Sequence, residues 1–124
     1  MKKSGIILVA LVGTFVIFVS FIRPAGPPIS DPPKNIPDSV WAVIKTSCLE
    51  CHVNDGNSLA KAKLNFDKWD EYSPEKQFVK AQDICEEVRK GTMPPSKFRK
   101  NNPDAVPSTG ATTRICKWVN QLEK

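Results

Sequence analysis

Residues 5–22 (GIILVALVGTFVIFVSFI) run for 18 positions without a charge, preceded by Lys2 and Lys3. A stretch of that length and apolarity can cross a bilayer as a helix and has no place in the core of a small soluble domain. Residues 1–22 are therefore set apart as an N-terminal transmembrane helix. A secretory signal peptide is the competing reading, but its apolar part is usually shorter and ends at a small-x-small cleavage site. Pro24-Ala25-Gly26 is the nearest approach to such a site, and proline suits it badly. Both readings export the C-terminal part of the chain, with the lysines left inside. The expected setting is a bacterial inner membrane crossed once, with the N-terminus cytoplasmic and the folded part facing the periplasm.

Residues 23–37 (RPAGPPISDPPKNIP) hold six of the eleven prolines. Proline lacks the backbone donor that helices and ladders need, so the segment is expected to be an extended linker with a reach of roughly 45 Å. An ordered arm lying on the domain is the alternative. Residues 38–124 remain for a folded domain of 87 residues, small for a self-sufficient core. That domain carries fourteen Lys and Arg against twelve Asp and Glu, a balance of only +2. No stretch clusters basic and aromatic residues in the manner of a nucleic-acid surface, which removes nucleic acid as a partner.

The domain reads as all-α with long loops. Asp38 or Ser39 is placed to cap a first helix, with Val40, Val43, Ile44 and Ser47 on one face. Ser73-Pro74 opens a second, whose apolar face is Phe78, Ala81, Cys85 and Val88, and Gly91 is its stop signal. Ser108 or Thr109 opens a last helix with a stripe of Ile115, Trp118, Val119 and Leu122. No segment alternates with the period of a strand.

The first helix runs into Cys48-Leu49-Glu50-Cys51-His52, a CxxCH pentapeptide. Two thiols at this spacing can each reach one vinyl group on the same porphyrin edge, and the adjacent histidine then lies under the iron. This predicts one covalently bound haem c, with Cys48 and Cys51 as thioethers and His52 as proximal ligand. A zinc site would need a second close Cys or His pair, and Cys85 and Cys116 are too far apart in sequence for that. A redox dithiol would sit in a βαβ setting, which is missing.

From Asp38 onward the chain resembles the small monohaem class I cytochromes c, in particular periplasmic haem-binding domains with CxxCH, then Gly-x-Met-Pro-Pro, then a Trp-bearing last helix. The matching residues are Cys48, Cys51, His52, Gly91, Met93, Pro94, Pro95 and Trp118. The resemblance implies a helical fold with first and last helices crossing near the haem, Met93 as distal iron ligand, and electron transfer as the activity. It departs after the histidine, where Val53-Asn54-Asp55-Gly56-Asn57-Ser58-Leu59 replaces the usual segment that holds the His ring nitrogen. Elimination also favours Met93. His52 is the single histidine, and the other methionine, Met1, precedes the apolar run.

Cys85 and Cys116 are left over. In an oxidising compartment they are candidates for a disulfide, with two buried thiols as the alternative. Phe66, Trp69 and Tyr72 are read either as core or as partners of a haem propionate. The expected function is single-electron carriage by a membrane-anchored cytochrome rather than catalysis. Its partners would be redox proteins, including a respiratory membrane complex. Two alternatives stand beside it: a haem sensor or enzyme with a labile sixth ligand, and a structural haem subunit of a larger complex.

Overall fold

The structure, a computed structural model, describes residues 31–122. The uncharged run and most of the Pro-rich segment lie outside the described residues. Among those described, no helix is long and apolar enough to cross a membrane, and none forms a strand.

Five α-helices carry the domain: α1 Asp38–Ser47, α2 Ser58–Lys63, α3 Pro74–Lys90, α4 Ser96–Asn101 and α5 Thr109–Leu122. Short 3-10 turns, Phe66–Glu71 and Pro103–Ala105, precede α3 and α5. The punctuation of α3 and α5 is the kind their sequences advertise. Ser73 Oγ accepts the Lys76 N–H at the start of α3, Pro74 follows it, and Gly91 closes the helix in the left-handed region at φ 71°. Ser108 Oγ accepts the Ala111 N–H at the start of α5. The start of α1 differs from expectation. Pro37 precedes it without a side-chain cap, its carbonyl accepting from Val40 and Trp41, and Asp38 sits inside the first turn, where its charge suits the helix N-terminus. Two short helices, α2 and α4, occupy stretches to which the sequence assigned no element. Asn57 caps α2 by accepting from Leu59 and Ala60, and α4 starts immediately after Pro95.

Helix α5 packs against both α3 and α1. Its Ile115, Trp118 and Val119 meet Val40, Trp41 and Ile44 of α1 and Ala81 and Ile84 of α3 in one buried cluster. Phe66 and Trp69 complete it, with Trp69 between Phe66 and Trp118 at ring-centroid distances of 5.9 and 5.6 Å. These aromatics are core: Trp69 is wholly buried, and the Tyr72 hydroxyl accepts the Asn65 N–H.

The folded part also begins earlier than Asp38. Ile36 is buried, Trp69 Nε1 donates to the Lys34 carbonyl at 3.0 Å, and Trp118 Nε1 donates to the Asn35 carbonyl at 2.6 Å. Lys34 N donates to Asp70 and the Asn35 amide to Gln77. Residues 34–37, assigned by sequence to the linker, are thus part of the domain. Two buried indoles need acceptors, and the carbonyls of this arm supply them.

Candidate functional site

Helix α1 does not stop cleanly at Ser47. Cys48 N and Leu49 N both donate to the Ile44 carbonyl, and Cys51 N and His52 N donate to the Cys48 carbonyl. The pentapeptide is therefore coiled tightly onto the helix end and not splayed as a loop. Ser47 anchors that end from below, its hydroxyl donating to the Ala105 carbonyl at 2.6 Å. Beyond the histidine the chain turns back so closely that a Cβ on Gly56 would lie 2.4 Å from the Cys51 carbonyl oxygen. Only glycine fits there.

His52 is held at two points by one short segment. Phe66 N donates to the His52 carbonyl at 2.9 Å, and His52 Nδ1 lies 3.0 Å from the Leu64 carbonyl oxygen. A carbonyl can only accept, so Nδ1 carries the proton and the Nε2 lone pair is left free for a metal. Leu64 is the ring-nitrogen acceptor that the sequence leaves unnamed.

On the far side, the chain leaving α3 bends sharply. The Glu87 carbonyl accepts Thr92 N at 3.1 Å, Met93 N at 3.3 Å and the Thr92 hydroxyl at 3.0 Å, and the Glu87 carboxylate also accepts that hydroxyl. Pro94, joined to Met93 by a cis peptide bond, is buried beneath. This brings Met93 round to face the pentapeptide.

Cys48, Cys51, His52 and Met93 all line one cavity of about 290 Å3, with Leu59, Val88, Pro94 and Phe98 among its walls. A second cavity of about 280 Å3 shares Cys48, His52, Lys63, Val88 and Met93 with it and is closed by Leu64, Ile84 and Glu87. Together they form a cleft between the CxxCH turn and the Met93 loop, in the size range of small-molecule and cofactor sites. Its rim is open, with Leu59 79% and Met93 38% exposed on one side and the charged Lys63, Lys80, Asp83 and Glu87 on the other. Burial, and then the neighbouring Cys51, push the pKa of the Cys48 thiol up to about 12, so it stays a neutral thiol at pH 7.

Two unbridged thiols, one imidazole with a fixed tautomer, one thioether and apolar walls make a donor set that fits haem. Among the described residues, no group of three or more His, Cys, Asp or Glu is arranged to hold a bare metal ion. Cys85 and Cys116 stand apart from the cleft. They are bonded to each other across the α3–α5 seam, with Cα atoms 5.0 Å apart.

An all-α domain with such a cleft defines the class as a haem-binding protein. The chain belongs to the haem-binding domain family, whose profile matches residues 53–121. The match begins one residue after His52, so it reaches the Leu64 and Met93 side of the cleft and leaves the pentapeptide outside. No curated protein and no solved structure matches the chain.

Proposed function

We propose that the protein is a monohaem c-type cytochrome, tethered to a membrane by its N-terminal segment, that carries single electrons. The observation that carries this reading is the meeting of Cys48, Cys51, His52 and Met93 on one apolar cleft. The pentapeptide extends the end of α1 and Met93 lies beyond the end of α3, far apart in sequence, and the fold brings them to the same cleft. Cys48 and Cys51 would hold the haem as thioethers, each S–H adding across one vinyl group. His52 would ligate one face of the iron through Nε2 and Met93 the other through its sulfur, as the resemblance to class I cytochromes c implies.

Haem held in this way supplies a one-electron couple whose potential the axial ligands, hydrogen bonding and burial set. The chain's own residues supply the rest. The Leu64 carbonyl keeps His52 in the ligating tautomer and fixes the orientation of its ring. Val88, Ile84, Leu64 and Phe98 would give the haem apolar walls to lie against. His52 is the single histidine, so the distal side offers no imidazole for proton transfer to a bound oxidant. That favours carriage over catalysis and over a sensor with a labile ligand.

The test is a spectrum with an intact mass. The purified full-length chain should show six-coordinate low-spin haem retained through acid-acetone extraction, with a weak far-red thioether-to-iron band in the oxidised state. Met93→Ala should lose that band and bind imidazole or CO while keeping the haem. Freely extractable haem would overturn the covalent reading, and an unchanged spectrum in Met93→Ala would overturn the distal ligand.

A further inference from the structure

Met93 is held from its N-terminal side by the end of α3, through the Glu87 carbonyl and the Thr92 hydroxyl. Its C-terminal side is tied down by a different element. Arg99, on α4, reaches back over the loop. Its Nη1 donates to the Gly91 carbonyl and, at 3.0 Å, to the Pro94 carbonyl. These two carbonyls flank Thr92 and Met93, and one Nη1 carries two N–H groups, one for each. A single half-buried guanidinium nitrogen thus bridges the base of the loop that presents the sulfur. Phe98, the residue before it, lines the cleft itself.

We propose that Arg99 is a positioning residue for the distal ligand. It clamps the 91–94 turn shut, so that the Met93 thioether stays on the cleft and does not swing out to water. The inference rests on the reading of Met93 as an iron ligand. The physical case is that the ties on Met93 act on its backbone, so the placing of its side chain depends on the turn. Met93 is one of the most exposed large apolar side chains of the domain, its three rotatable bonds give it many alternatives, and the turn's backbone carbonyls face a charged donor. Hydrogen bonds to a charged group are the stronger kind. Opening the clamp moves the population from a closed loop toward an open one. An exogenous ligand that needs the open form then binds more tightly in proportion.

The experiment is imidazole titration of the oxidised, haem-loaded full-length protein, read together with the far-red band, in Arg99→Met, Arg99→Lys and Lys100→Met. Arg99→Met keeps an apolar stem and removes the donors. It should raise imidazole affinity on the order of ten- to a hundredfold and weaken the far-red band. Arg99→Lys, which retains charge and N–H donors, should restore most of the wild-type behaviour. Lys100→Met removes the same charge from a neighbouring exposed position and should change neither readout. If Arg99→Met fails to accumulate, Arg99→Leu carries the same test, since it too has an apolar side chain and no donor. An Arg99→Met protein that melts earlier but keeps wild-type imidazole affinity and band intensity would make Arg99 merely structural and overturn the clamp, leaving Met93 ligation intact. A wild-type protein and Met93→Ala with equal imidazole affinity would instead remove the ligand assignment, and the clamp with it.

Discussion

The Leu64 carbonyl oxygen lies 3.0 Å from His52 Nδ1, across twelve residues of chain. Leu64 is in place because its neighbours are. Asn65 is buried, its amide donates to Asn54 Oδ1 at 2.8 Å, and its Oδ1 accepts the Asp67 N–H at 3.0 Å. Asn65→Ala should destabilise the haem-loaded protein by about 0.5–1.5 kcal/mol per hydrogen bond lost, since the partners on Asn54 and Asp67 are exposed and water can replace the lost bonds. It should also lower the reduction potential or disturb the His52 ring signals. Denaturant unfolding combined with NMR of the His52 ring checks both. A stability loss with unaltered ring resonances would show that the segment does not orient His52.

Two glycines are required for different reasons. At Gly56 the obstacle is steric, since an added Cβ meets the Cys51 carbonyl at 2.4 Å. At Gly91 nothing lies within 4 Å, and the obstacle is the backbone angle, φ 71°. Gly56→Ala should cost about 1–3 kcal/mol as overpacking and reduce the fraction of chains that acquire haem, because the strain falls on the CxxCH turn. Gly91→Ala should cost about 1–2 kcal/mol, and Gly91→Asn less, since asparagine tolerates that conformation. Urea midpoints and haem content of the three variants are the measurement.

The Cys85–Cys116 bond closes a loop with a sequence separation of 31 and joins α3 to α5. Replacing both cysteines by serine should cost roughly 3–4 kcal/mol through the freer unfolded chain. The bond stands apart from the cleft, so the haem spectrum at low temperature should be unchanged. A shifted Soret band in the double variant would show instead that the α3–α5 seam reaches the haem.

The arm at residues 34–37 belongs to the stability of the domain. Trp118→Phe removes the indole N–H that donates to the Asn35 carbonyl and should cost about 1–2 kcal/mol. A chain beginning at Asp38 should be less stable than one beginning at Asp31 by at least about 1.5–3 kcal/mol, the burial of Ile36 alone. Equal melting temperatures for the two truncations would show that the arm contributes nothing.

Much of this protein was legible from residues that act locally. Ser73-Pro74 and Gly91 mark the ends of α3 without reference to anything distant, because capping is completed within one turn. The apolar stripes of α1, α3 and α5 follow from a 3.6-residue period and name most of the core. That the protein binds haem could be proposed from five contiguous residues at a helix end, Cys48 to His52, and the family match supports haem binding while leaving those residues' roles a proposal. Met93 is proposed as the distal ligand because composition leaves it without a rival, and the structure places it on the same cleft.

What only the tertiary structure decided is where backbone carbonyls point. Leu64 serves His52 through an atom that every residue possesses, so no side-chain pattern could single it out. The carbonyls of Gly91 and Pro94 take the Arg99 donor for the same reason. The docking of residues 34–37 is also beyond periodicity, since proline content speaks for an extended chain but not for whether that chain lies on two buried indoles 35 and 83 residues away. Sequence reports which side chains avoid water. Which distant backbone oxygens then satisfy the polar atoms those side chains bring inside is settled only when the helices pack.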